Sequence, residues 1–272
     1  MTIYPGMDLG PYGRLSETEQ VYRSNPAITN SWCGAFLQNE ALAYGYFTKQ
    51  WSQKDRAAFR IGSALHCKVL EPGEFSKRYV VKPTFKATKA GKEEAKEWKA
   101  RHCNHVILDP RSAPSIDAMA AAIAANERAS ELLWGTAGEV TWRMWDPLVK
   151  LSMQCRTDAY APGLIVDLKT TESLKSFRQS FASYGYHRQA AMYSRIVNHV
   201  TEQDHSFYFI AVEKNPPYAV GIFDLHEGAL TTGRCEIAEA LTRIKECVST
   251  GVWRRDLPTV QTLEIPTYGQ AV

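Results

Sequence analysis

Residues 151–171, LSMQCRTDAYAPGLIVDLKTT, decide the fold. Residues 151–160 and 164–170 read as two strands, with Pro162-Gly163 supplying the turn between them. Residues 138–145 (GEVTWRMW) read as a third strand, turned into the next by Asp146-Pro147. Side chains alternate across a strand, so Asp167 and Lys169 share one face while Leu168 points into the core. The preceding strand carries Asp158, and the one before it offers Glu139 at its start. Three acids and one lysine therefore converge at one end of a sheet.

Carboxylates so grouped repel one another unless a cation sits among them. All-oxygen ligands suit Mg²⁺ or Mn²⁺ better than zinc. A metal that orients a water, with a lysine that offsets charge on a phosphate, matches what phosphodiester cleavage needs. A lone D-x-K is a weak motif, and taken alone it reads as a surface salt bridge. Asp158, one hairpin upstream, favours the chemical reading over the bland one.

Two further constellations lie outside the meander. Gly62-Ser63-Ala64-Leu65-His66 falls in a predicted helix, with Gly62 and His66 one turn apart. Glycine there would let another backbone approach closely; histidine there is a metal or phosphate ligand, or a packed core residue. Gln189 and Tyr193 share a helical face at i,i+4, flanked by Tyr186 and His187. That pair could hydrogen-bond the site or DNA, or belong to an ordinary amphipathic helix. Residues 82–101 carry Lys82, Lys86, Lys89, Lys92, Lys96, Lys99 and Arg101, interleaved with Glu93, Glu94 and Glu97. This pattern reads as a solvated helix with i,i+4 pairs, or as a basic edge along DNA phosphates through Lys86, Lys89 and Lys92.

The remaining elements follow from the same rules. Residues 1–28, rich in Pro, Gly and Tyr, read as an irregular arm. Asn30 and Ser31 are expected to cap a helix running to Phe47. A second helix spans Asp55 to Leu70 and stops before Pro72, and residues 79–81 form a short strand. Residues 115–133 form an alanine-rich helix. Beyond the meander come helices at 173–183 and 186–199, a strand at 206–213, its hairpin partner at 218–225, a helix over 227–249 and an irregular tail after Trp253. Helices, then strands, then helix and strand give an α/β (α+β) plan: one central mixed sheet flanked by helices. Apolar content stays even, so the expected division is an arm, 1–28, and one domain, 29–272.

The 272 residues are 44% hydrophobic and 22% charged with a net charge of +3, too small by itself to indicate a nucleic-acid partner. None of the six cysteines is spaced C-x-x-C, which argues against a structural zinc or iron–sulfur site. They read as reduced, mostly buried thiols. The first residues lack a signal pattern, and no apolar run approaches the ~20 residues of a membrane helix. A cytoplasmic protein without membrane contact is the expectation.

G-x-x-x-H, then E, D, D-x-K and Q-x-x-x-Y, in that order, resemble the RecB-type branch of the PD-(D/E)XK nuclease superfamily. Within it the chain is similar to RecE-type exonucleases, the exonuclease VIII family of phages and prophages. The likeness runs from about Ile28 to Leu263 and includes GSALHCKVLEPGEFSKRYVVKPTF, AGKEEAK, QCRTDAY, IVDLKTT and SFASYGYHRQAAMYS. The resemblance implies a restriction-endonuclease-like core with a two-metal site holding Mg²⁺, or Mn²⁺ in its place. It makes Asp158 and Asp167 metal ligands, helped by the backbone carbonyl of Leu168. Lys169 would position the water and stabilise charge. Glu139 would bind or orient a second metal, His66 would be a further ligand or phosphate contact, and Gln189 and Tyr193 would brace the site. Thr157 stands where the superfamily has proline, and Asp167 where many members have glutamate. Only Cys235 and Cys247 lie near the C-terminus, so the branch with an iron–sulfur cluster does not fit.

The implied activity is resection of one strand of linear duplex DNA, 5′ to 3′, leaving a 3′ tail for recombination. The implied partners are double-stranded DNA ends, a single-strand annealing protein of RecT type, and further copies of the chain in a closed ring, a tetramer rather than a trimer. The alternatives are a related nuclease acting on single-stranded or branched DNA, and a catalytically inactive DNA-binding subunit on the same fold.

Overall fold

The computed structural model describes residues 10–48, 50 and 57–256. In chain order the elements are β1 (Gly13–Leu15), α1 (Glu19–Ser24), α2 (Asn30–Gln38), α3 (Glu40–Phe47), α4 (Ala57–Leu70), α5 (Pro72–Arg78), β2 (Tyr79–Val81), α6 (Lys89–Arg101) and β3 (Val106–Leu108). They continue with α7 (Ser112–Ala125), α8 (Glu127–Leu133), β4 (Ala137–Asp146), β5 (Leu151–Ala161), β6 (Leu164–Thr171), α9 (Phe177–Ser183), α10 (Tyr186–Thr201), β7 (Ser206–Glu213), β8 (Val220–Phe223) and α11 (Glu227–Thr250).

Six strands form the central sheet in the order β1-β4-β5-β6-β7-β8. β6 and β7 pair in parallel, joined by a crossover through α9 and α10, and the other pairs are antiparallel. A parallel neighbour needs such a crossover, because a tight turn can only reverse the chain. The mixed sheet flanked by helices is the architecture expected from the sequence.

Strand alternation sends apolar side chains to both faces. Trp142, Met153, Cys155, Ile165, Phe207 and Phe209 join Phe36, Met192, Ile196, Ile237 and Ile244 from α2, α10 and α11 in one core. Val166, Leu168, Ile210 and Val212 join Leu65, Ile116, Met119 and Leu132 from α4, α7 and α8 in the other. Burying each large apolar side chain stabilises by ~1.5–3 kcal/mol, so both helical layers are firmly seated.

Several elements differ from the sequence reading. The helix expected over 30–47 is two helices. Thr29 caps the first, and Asn39 breaks the run by capping the second, its side chain accepting from the Leu42 amide at 2.9 Å. Asn126 likewise splits the alanine-rich helix, accepting from the Ala129 amide at 2.9 Å. The helix expected from 173 opens as a single 3₁₀ turn before α9. The second hairpin strand covers only Val220–Phe223. The expected helix start at Asp55 lies outside the described residues.

The described part of the arm is not irregular. β1 pairs with the edge of β4, and the Ile28 amide donates to the Ser152 carbonyl at 2.8 Å. Buried Arg143 reaches Glu17 at 2.9 Å. Polar ladder groups and a buried guanidinium must find partners, and the arm supplies them. α1 begins where Thr18 accepts from the Val21 amide. β2 and β3 make a separate parallel pair. The six cysteines are free, four of them buried.

Candidate active site

The site forms where β5 and β6 part. Their ladder ends at the pair Ala159–Val166, so the next residues on each strand, Asp158 and Asp167, sit at the mouth of the fork. Asp158 crosses the gap with its side chain, and Oδ2 accepts the Leu168 amide at 2.7 Å. β4 and β5 are disturbed at the same level. Glu139, which the register places opposite Asp158, has φ of 53°. That left-handed backbone costs a non-glycine residue of order 1–3 kcal/mol, and such strain gathers at functional sites.

Asp158, Glu139 and His66 come together. A ligand atom from each lies within 4.8 Å of the others. α4 delivers His66, whose Nδ1 is 3.4 Å from Asp158 Oδ2. Glu139 Oε2 accepts from Arg156 Nε at 2.7 Å. Asp167 faces a second group. Its Oδ1 accepts from the Gln189 amide at 2.5 Å, and its Oδ2 forms an ion pair with Lys169 Nζ. The aromatic face of Tyr186 covers that ammonium, whose nitrogen is 4.8 Å from the ring centroid. The shared face of Asp167 and Lys169 is thus realised, with Leu168 buried in the opposite core.

Charge in this space is unbalanced. Burial pushes the Asp167 carboxyl up to about 6; Lys169 opposes the shift and Asp158 adds to it. Burial, with Asp158 beside it, also raises Glu139. Burial alone would raise Asp158, yet His66 and Lys169 outweigh it and the group lies below its usual range. Burial would lower His66, but the adjacent Asp158 carries it up to about 9. Lys169 is raised as well: burial works against its charge and the two aspartates overcome it.

These residues fit a divalent cation. Buried Asp167 Oδ2 meets only the Lys169 ammonium among the described residues, so it keeps a lone pair that a cation could take. The His66 imidazole stands against Asp158, where a cation would otherwise neutralise the carboxylate. The donor set of His66, Glu139 and Asp158 is one nitrogen and carboxylate oxygens. It is therefore not the all-oxygen set expected from the strands alone, and the imidazole tilts it towards Mn²⁺ relative to Mg²⁺.

Not every candidate lies at the fork. Tyr193 packs against the core, its ring 6.5 Å from that of Phe207; it makes no hydrogen bond to the carboxylates among the described residues, yet Asp167 and Asp158 are near enough to add to the burial that raises its phenol. Lys86, Lys89 and Lys92 are exposed at the start of α6 and in the loop before it. Among the described residues no other backbone approaches Gly62 closely, since a Cβ there would find only Thr170 Oγ1 at 3.9 Å. Sequence reasoning missed Arg156. Its signal was the spacing, because residue 156 precedes Asp158 by two on one strand and can reach across to β4. Tyr186 was noticed only as a flank of Gln189, and only the crossover from β6 through α10 places its ring on Lys169.

Residues 29–256 match the model of the PDDEXK-like domain of unknown function (DUF3799). That model describes a domain of the PD-(D/E)XK class. The chain belongs to the DUF3799 family of that class. A solved structure from Eubacterium rectale, provisionally assigned as an exonuclease, superposes with a TM-score of 0.67 at 16% identity, covering 93% of this chain and 96% of that one. This similarity supports the fold. A phage-related exonuclease from Haemophilus somnus 129PT aligns over 75% of this chain and 99% of its own, at 13% identity and a TM-score of 0.33, too low to bear on the argument. No curated protein matches the sequence. Among the described residues no helix is long and apolar enough to cross a membrane.

Proposed function

We propose that the protein is a divalent-metal-dependent nuclease that degrades linear duplex DNA from an end. The observation that carries this reading is the pairing of two groups across one strand fork: His66, Glu139 and Asp158 beside Asp167, Lys169 and Gln189. Such a space can take a phosphate only when its own negative charge is offset.

His66, Glu139, Asp158 and Asp167, with the Leu168 carbonyl, would hold the cation. A bound divalent cation would supply Lewis-acid polarisation of a phosphoryl oxygen. The chain's own residues do the rest. Lys169 stays protonated at neutral pH, so its ammonium can donate to a water or to a phosphate oxygen as charge develops. Asp167 and the Tyr186 ring keep that ammonium in place. The Gln189 amide occupies Asp167 Oδ1 and fixes the carboxylate's orientation. Arg156 holds Oε2 of Glu139 and so fixes the orientation of that carboxylate.

The RecE-type resemblance supports an exonuclease running 5′ to 3′, with Mg²⁺ as the ion, recombination as the setting, and a ring of subunits working beside an annealing protein. Digestion of linear duplex labelled at either end, beside a closed circle, tests the reading. End-dependent release of label in Mg²⁺ or Mn²⁺, abolished by EDTA, is expected. Equal cutting of the circle, or activity in chelator, would sink it.

A further inference from the structure

Tyr184 is 67% exposed, unusual for an aromatic ring held on a rigid turn. The turn is fixed from both sides. The Tyr184 amide donates to the Ser180 carbonyl at 2.9 Å, and the Gly185 amide to that of Ala182 at 3.1 Å. Gly185 has φ of 64°, and the Arg188 guanidinium packs where its Cβ would stand, so no other residue fits there without displacing it. Arg188 is held in turn by Glu236 at 2.7 Å and Asn30 at 3.1 Å.

The ring so presented leads directly to the site. Tyr184 lies 5.8 Å from Tyr186, centroid to centroid, and the Tyr186 ring covers the Lys169 ammonium. One aromatic ring therefore separates an exposed aromatic from the lysine. The 3₁₀ turn and α9 leading into it carry Lys175 and Arg178, both exposed and without an ion pair among the described residues. Unpaired cations with an exposed aromatic are the composition that holds a nucleic-acid strand, the cations on phosphates and the ring on a base.

We propose that Tyr184 is a stacking platform for a base of the DNA strand whose phosphate lies at Lys169. The inference rests on the nuclease reading above. Tyr184 is a binding residue in it and takes no part in proton movement. Stacking needs the ring and not the hydroxyl, so phenylalanine and tryptophan serve in its place while alanine does not.

The test uses the full chain carrying Lys169→Ala, with Mn²⁺ and an oligonucleotide bearing 2-aminopurine near its end. Adding Tyr184→Ala should weaken binding by about tenfold, the order of one lost base–aromatic stack, and remove the fluorescence quench. Tyr184→Phe and Tyr184→Trp should keep both. With Lys169 intact, the loss from Tyr184→Ala should fall on KM more than on kcat. Its melting temperature should match the parent's, since the ring is largely outside the core. Binding and quench unchanged in Tyr184→Ala, or Phe failing where Tyr succeeds, would overturn the stacking role alone if the chain with Lys169 intact cleaves DNA. A chain with Lys169 intact that neither binds nor cleaves DNA would overturn this inference and the nuclease reading together.

Discussion

Asp158 accepts the Leu168 backbone amide at 2.7 Å across a gap where β5 and β6 no longer pair. One carboxylate thus replaces a ladder hydrogen bond and faces His66 and Glu139 from the same position. Its two duties can be separated. Asp158→Asn keeps an acceptor for the amide and should fold normally, yet bind the cation about 10- to 100-fold more weakly. Asp158→Ala strands a buried N–H and should cost a further ~1–3 kcal/mol of stability. Metal titration and denaturant unfolding of both variants check this. Equal stability of the two would show that the hydrogen bond matters little.

Lys169→Ala should lower single-turnover cleavage by at least about 10²–10³-fold, as removal of a charge-stabilising donor does. Cation and DNA binding should survive, because the ammonium is not a ligand. Wild-type turnover in this variant would refute the role given to the D-x-K pair.

The ion can be identified through His66. EDTA should abolish cleavage, and Mn²⁺ should restore it at lower concentration than Mg²⁺, since imidazole suits the former better. Ca²⁺ should bind and support little cleavage, its loose geometry placing the water poorly. His66→Ala should weaken Mn²⁺ binding by at least about tenfold and narrow its advantage over Mg²⁺. An unchanged Mn²⁺ isotherm would remove His66 from the ligand set.

Two groups make stability in the absence of cation depend on pH in one direction. His66 rises from 6.5 to about 9 on folding, so its contribution is complete below 6.5 and lost as pH climbs through about 9. Asp167 rises from 3.8 to about 6, so folding is favoured below 3.8 and that contribution is lost as pH climbs through about 6. Thermal melts in chelator should fall over the alkaline window, and His66→Gln should flatten the fall. Because a ligating imidazole must be neutral, cation binding below pH 9 should release a proton, which calorimetry in buffers of different ionisation enthalpy would detect.

Glu40 offers a control that touches none of the groups named at the fork. Only 5% exposed, it accepts from Arg254 N at 3.0 Å and Arg243 Nη2 at 2.6 Å, tying α3 to α11 and the segment after it. Burial would raise its carboxyl, but these donors hold it below the usual glutamate range. Its stabilisation is therefore present at neutral pH and lost as pH falls through the lowered pKa. Glu40→Gln should cost ~1–3 kcal/mol at pH 7, shrinking in acid, with cleavage unaffected. Urea unfolding at two pH values reads both.

The sequence by itself determined the strands of the meander, the burial of Leu168 and the shared face of Asp167 and Lys169, because a period of two depends on local geometry alone. The caps at Asn39 and Asn126 were legible too, as Asn-Glu opening an apolar run, though the longer periodicity concealed them. Only the tertiary structure decided which groups meet at the fork. His66 lies on α4, Glu139 on β4 and Gln189 on α10, and their convergence depends on where β5 and β6 stop pairing. The same holds for the arm, whose β1 becomes a strand only because the open edge of β4 needs hydrogen-bond partners. Spacing along a chain fixes the direction of a side chain within its own element. What that side chain meets is set by the packing of elements distant in sequence, a relation no local pattern records.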